Sequence, residues 1–305
     1  MRICSLLPSS TEIVYALGLG DSLVGVTHEC DFPEETSNKR AVTRSLIDHS
    51  SSSQAEIHRH ITEAVHSGSS IYALNQEVLE SIDPDLVLTQ ELCDVCAVSY
   101  GEVQKAVRLL PSSRKVLSLE PTSLQSILET ISKVGEEAGV PGAAADVVTS
   151  LRARIDAVEM ASKVVSRRPR VFAMEWLDPP FIGGHWVPEM IRLAGGEDGL
   201  GNEGEPSVQA TWDSIADYNP EVVIMMPCGY HLEDTVHSLS DIAFPPQWNE
   251  IAAVQRGQVY AVDGSSYYNR PGPRTVDGLE IMAEILHPQI FPRVHSRSDW
   301  RRVDV

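Results

Sequence analysis

Four side chains in this chain have the types and spacing of a soft-metal site. Cys93 and Cys96 form a C-x-x-C pair, and His28 and Cys30 stand two residues apart at the end of an earlier apolar run. Brought together, three thiolates and an imidazole would hold a tetrahedral ion. The same two thiols support other readings. They could line a cleft wall, or cycle between dithiol and disulfide, although a redox C-x-x-C normally opens a helix in a thioredoxin-like unit and the order of elements here differs. A second set of residues is aromatic: Trp176, His185, Trp186, Tyr267 and Tyr268, accompanied by Glu91, Arg270 and Arg274. Flat apolar walls with a few polar groups suit a broad, mostly apolar ligand with a hydrogen-bonding rim. Enzymatic signatures are missing: Ser9 and Ser10 sit in no nucleophile elbow, and no Gly-rich dinucleotide fingerprint or phosphate loop occurs.

These residues come together only if the elements between them alternate suitably. Apolar runs at residues 2–8, 23–27, 84–89 and 115–119 read as strands, with helices after Pro8, at 54–68 and at 124–138. Ser9, Ser10 or Thr11 would cap the first helix, and residues 36–53 read as exposed loop. Residues 143–165 form a long helical stretch without Gly or Pro. The pattern then restarts with strands at 170–176, 222–226 and 259–262 and a last helix to about Leu286. A duplication supports two lobes, because residues 77–91 and 213–227 share an amphipathic helix, a closing Pro, an acid and an apolar strand. The expectation is an α/β protein of two lobes with parallel sheets and helices on both faces. Its boundaries are residues 1–122, a helical segment 123–168 containing the connector, and residues 169–305. Ligands of open parallel sheets bind beyond the carboxyl ends of the strands, where the residues named above fall, together with Glu175, Cys228 and Tyr230.

Composition limits the partners. A formal net charge of -19 over 305 residues argues against nucleic acid and anionic membrane surfaces, which need clustered Lys and Arg. No apolar run approaches the roughly 20 residues of a spanning helix. Pro8, Ser9, Ser10 and Glu12 interrupt any signal-peptide core, so the reading is cytosolic, with a periplasmic or extracytoplasmic place as the alternative if a signal sequence was removed, and five cysteines, an odd count, would remain thiols in a reducing compartment.

Several stretches carry a resemblance. Residues 2–18 (RICSLLPSSTEIVYALG), 23–33 (LVGVTHECDFP), the Pro84–Leu88 strand, residues 178–184 (DPPFIGG) and 270–274 (RPGPR) are similar to the cobalamin and iron-chelate class of ABC-transporter substrate-binding proteins, in the family's order across nearly the whole chain. The cobalamin-binding branch is the most similar. The resemblance implies two Rossmann-like lobes joined by one long helix, with cobalamin or another corrinoid held between them, unchanged, and little hinge motion. A ferric chelate or haem-like ligand is the alternative. It also implies that Tyr72, Trp176, Tyr267, Tyr268 and Arg270 meet the ligand; Glu91, Cys93, His185 and Trp186, by their place in the strand-end loops, are expected as further contacts, and a thiol or His185 could coordinate the cobalt of a bound corrinoid. Glu77 and Asp213 match the carboxylates that dock such proteins on an ABC permease. A corrinoid-using enzyme is the other recipient considered.

Overall fold

The computed structural model describes residues 1–46, 53–67, 71–90, 100–108, 110 and 114–305. Two compact units result: the first takes in residues 1–52, 56–121 and 128–149, the second residues 53–55, 122–127 and 150–305.

The first unit opens with β1 (Ile3–Ser5), α1 (Pro8–Ala16), β2 (Leu23–Gly25) and β3 (Thr43–Ser45). There follow α2 (Gln54–Ser67), whose first two residues belong to the second unit, β4 (Tyr72–Leu74), α3 (Gln76–Ile82), β5 (Leu86–Thr89), α4 (Tyr100–Arg108) and β6 (Lys115–Ser118). Helices α5 (Leu124–Glu137) and α6 (Pro141–Ser162) both pass from one unit's residues to the other's, α6 between Thr149 and Ser150. The main sheet has the order β2-β1-β5-β6 and is parallel throughout. From β1 the chain first goes to one side and then crosses to the other, which makes the ends of β1 and β5 a topological switch point. Cys4, Val87, Val42, Leu79 and Val103 pack this unit's core. The stretch read as loop holds a 3-10 turn (Glu34–Asn38) and β3, which pairs antiparallel with β4. No hydroxyl caps α1. Its N-cap is Leu7, with Pro8 following, while Ser10 and Thr11 bond inward to the Leu7 carbonyl and the Ser5 hydroxyl.

The second unit contains β7 (Val171–Leu177), β8 (Pro180–Ile182), α7 (Val187–Leu193), β9 (Val208–Gln209), α8 (Trp212–Tyr218), β10 (Val222–Met225) and α9 (Leu232–Ser238). It ends with α10 (Ala252–Gln255), β11 (Val259–Val262), α11 (Gly264–Tyr267), α12 (Thr275–Leu286) and β12 (Trp300–Arg302). Its sheet runs β12-β11-β10-β7-β8-β9. Only β11, β10 and β7 are parallel; β8, β9 and β12 are antiparallel, so the expectation of a parallel sheet is corrected here to a mixed one. The cause is local. The stretch after β7, expected to be a loop, turns at Asp178-Pro179 and returns as the hairpin strand β8.

The duplication is physical as well as textual. Helices α3 and α8 are each capped by a side chain, Asn75 and Thr211, and each ends on a left-handed residue, Asp83 (φ 37°) and Asn219 (φ 49°), before a proline. An arginine just before the first strand of each unit caps that helix's carboxyl end. Arg2 donates to the Ile82 carbonyl (2.6 Å) and Arg170 to the Asn219 carbonyl (2.7 Å), where the helix dipole favours a cation. The backbone N–H groups of the same two arginines donate to Asp85 (2.8 Å) and Glu221 (3.3 Å), the acids that follow the prolines.

Candidate ligand-binding site

In the first unit, β2 runs on to Thr27, His28 and Cys30. His28 uses both ring nitrogens: Nδ1 lies 2.8 Å from the Thr43 hydroxyl and Nε2 3.1 Å from Glu29. Its ring sits 5.3 Å from that of Tyr72, which β4 carries. The Cys30 sulfur lies 3.1 Å from the Thr11 hydroxyl and 3.2 Å from that of Thr27. His28 and Cys30, two of the four expected metal ligands, thus lie in a hydrogen-bonded cluster beside Tyr72. Cys93 and Cys96, the other residues of that expectation, and Glu91, an expected ligand contact, lie outside the described residues. Among the described residues, the group with the composition of a metal site is Asp277, Glu280 and His295, and there Arg154 already bridges the two carboxylates.

The second unit gathers more of the candidates. Glu175 and Trp176 end β7, and the register of β7 against β8 shifts between Met174 and Trp176. The Trp176 ring meets Tyr230 edge-on at 5.6 Å, Tyr230 belonging to the turn after β10. Cys228, in the same turn, donates its backbone N–H to the Glu175 carbonyl at 3.0 Å. The Glu175 carboxylate accepts the Gly184 N–H at 3.0 Å. Only glycine fits at 184, since a Cβ there would lie 2.2 Å from the Ser207 nitrogen. Burial pushes the Glu175 carboxyl above its ordinary range, an effect that Gly184 and Ser207 partly offset. His185 follows in a left-handed conformation (φ 52°), and burial lowers its proton affinity, favouring neutral imidazole.

Gln54 completes this strand end. It is buried, its Oε1 accepts the Leu177 N–H at 3.1 Å, and its Nε2 faces the Tyr230 hydroxyl without making a hydrogen bond of ordinary geometry. Sequence reasoning missed it, since a Gln at the start of an ordinary helix carries no signal. It also missed the pair His231 and Asp263, whose Nδ1 and Oδ2 lie 2.9 Å apart at the ends of β10 and β11.

Tyr267 is partly exposed, donates its hydroxyl to Asp299 (2.9 Å) and lies under Arg274 at 5.8 Å. Two of the expected contacts, Trp186 and Tyr268, are buried. The Trp186 indole N–H donates to the Tyr268 carbonyl (2.9 Å) and the Tyr268 hydroxyl to the Gly278 carbonyl (2.9 Å), with exposures of 6 % and 1 %. Both are large apolar rings whose polar atoms are already satisfied, which makes them core. Arg270 is buried as well. Glu77 and Asp213 occupy the second positions of α3 and α8, exposed in both.

Residues 3–265 match the family described as periplasmic binding protein. Over 297 residues the chain is 27% identical to an uncharacterized ABC transporter substrate-binding lipoprotein of Bacillus subtilis, covering 95% of this chain and 81% of that one. It is 24% identical to a vitamin B12-binding protein of Vibrio parahaemolyticus, covering 91% and 86%. Among solved structures it resembles the periplasmic vitamin B12 binding protein of Vibrio cholerae (TM-score 0.68, 23% identity, 96% and 98% covered). A periplasmic heme binding protein of Pseudomonas aeruginosa is similar in fold too (TM-score 0.72, 18% identity, 99% of both chains). The cytosolic expectation finds no support in these relatives, whose names describe a lipoprotein and periplasmic proteins.

Proposed function

We propose, from the premise that this chain belongs to the periplasmic binding protein family and is a solute-binding protein rather than an enzyme, that its ligand is cobalamin or a related corrinoid. The observation that carries this reading is the Trp176–Tyr230 pair at the carboxyl ends of β7 and β10, with Tyr267 at the end of β11. Such surfaces suit a broad macrocycle, and they are supplemented here by amide, hydroxyl and carboxylate groups rather than by a row of cations. The names of the vitamin B12-binding relatives support it. Tyr72 beside His28 would serve as the first unit's contact.

A haem-like ligand is the second reading. His185 favours it, because a neutral imidazole is the form that ligates iron, and structural neighbours include heme-binding proteins. The protein then delivers its cargo to an ABC permease outside the cytoplasm, with Glu77 and Asp213 as the docking carboxylates.

Parallel titrations with cyanocobalamin and ferric protoporphyrin, followed by tryptophan fluorescence and the visible spectrum, test the proposal. Saturable quenching by cyanocobalamin at micromolar concentration or below is expected. Binding of the porphyrin alone would replace the first reading with the second, and binding of neither would remove both.

A further inference from the structure

We infer that Glu175 selects ligands by the chemistry of their rim, accepting a hydrogen bond from a peripheral carboxamide and rejecting a carboxylate at the same place. The inference rests on the corrinoid reading and deepens it.

Glu175 is held at the end of β7 from several directions. Its carbonyl is bonded to Cys228, its carboxylate to Gly184, and its neighbour Trp176 packs on Tyr230. The register shift at this point makes it the additional residue of the β7–β8 pairing. Among the described residues no Lys, Arg or His pairs with the carboxylate, whose stabilisation comes from one backbone N–H and the Ser207 hydroxyl. A partly buried carboxylate without a cation is costly unless further donors reach it. A ligand amide brings such a donor; a ligand carboxylate brings a like charge into the same poorly solvated place.

Gln54 makes the complementary demand. Its Oε1 is engaged by Leu177, two residues beyond Glu175, while its buried Nε2 faces the Tyr230 hydroxyl without making a hydrogen bond of ordinary geometry. A primary carboxamide carries both an N–H donor and an oxygen acceptor, and a carboxylate carries acceptors only. One end of β7 therefore presents an acceptor without a cation and a donor held only by a poorly aligned hydroxyl, the pairing that an amide answers and an acid answers by half.

The test compares cyanocobalamin with the monocarboxylic acids made by hydrolysing one peripheral amide at a time, using equilibrium dialysis on wild type and Glu175→Gln. Wild type should bind cyanocobalamin roughly 10- to 100-fold more tightly than at least one monoacid, the range expected for a hydrogen bond to a charged group. Glu175→Gln should reduce that ratio to within about threefold, since its side chain can both donate and accept. A wild-type ratio near one for every monoacid overturns the inference without recourse to any variant, and so does an unchanged ratio in Glu175→Gln. Absence of corrinoid binding by wild type would overturn it together with the reading it rests on, whereas cyanocobalamin binding with no discrimination would overturn it alone.

Discussion

Removing the Glu284 carboxylate should loosen the carboxyl-terminal segment that holds Tyr267 in place. Glu284 is 3 % exposed on α12 and accepts four hydrogen bonds. Oε1 takes the backbone N–H groups of Val294 (2.8 Å) and His295 (3.2 Å) and lies 2.8 Å from the His295 ring, while Oε2 takes the indole N–H of Trp300 (3.0 Å). Asp299, the acceptor for the Tyr267 hydroxyl, lies inside the segment so anchored. In Glu284→Ala the buried indole N–H loses its partner, at about 1–3 kcal/mol, while water can recover the two backbone donors in part; a total near 3 kcal/mol is expected. Glu284→Gln should cost about 1–2 kcal/mol, because one face of its amide must oppose a donor. Burial acting alone would raise the Glu284 carboxyl, but hydrogen bonds from Val294, His295 and Trp300 bring it below its ordinary range. A depressed folded-state value means the stabilisation is present above the unfolded carboxylate value, near 4.3, and is lost as pH falls through the folded one. Urea unfolding of wild type and both variants at pH 7 and at pH 3.5 reads these differences, which should shrink at the lower pH. A loss below about 0.5 kcal/mol for Glu284→Ala at pH 7 would refute the reasoning, since substitutions with no structural role fall in that range.

Arg170→Met should destabilise the second unit by about 1–2 kcal/mol, because it removes the donor to the Asn219 carbonyl at a helix carboxyl end, and Arg2→Met should do the same to the first; urea unfolding measures both. Gly184→Ala places a methyl group against the Ser207 backbone and should cost about 1–3 kcal/mol in thermal unfolding, with weaker ligand binding through the lost Gly184–Glu175 bond. Reversing the exposed carboxylates, Glu77→Lys with Asp213→Lys, should leave cyanocobalamin affinity within about twofold while weakening co-purification with a detergent-solubilised permease, since both side chains are exposed in first helical turns.

Much of the architecture was legible because it depends on local rules. The Pro and acid of each repeat mark the helix-to-strand junctions at Asp83 and Asn219, and the duplicated helix and strand led to two lobes. The arginines that cap those helices were not legible, because Arg2 and Ile82 are 80 residues apart in the chain. The hairpin after β7 was taken for a loop: Asp178-Pro179-Pro180 signals a turn, but β8 has only three residues and no alternation to read. At the candidate site, the strand pattern placed Trp176 near the end of β7, where the structure has it. It could not separate Tyr267, partly exposed, from its neighbour Tyr268, which is core, because adjacent residues of one short helix differ only in the direction they face. Gln54 was invisible because its partners Leu177 and Tyr230 lie more than 120 residues away in the chain.

The claim on which the rest depends is that the aromatic end of β7 and β10 receives a corrinoid. Isothermal titration of cyanocobalamin into wild type and Trp176→Ala addresses it most directly. Wild type is expected to bind one equivalent with a dissociation constant of about a micromolar or lower, and Trp176→Ala to lose roughly 10-fold or more, the effect of removing an aromatic anchor. Equal affinity in the two proteins, or no heat of binding in wild type, would contradict the account.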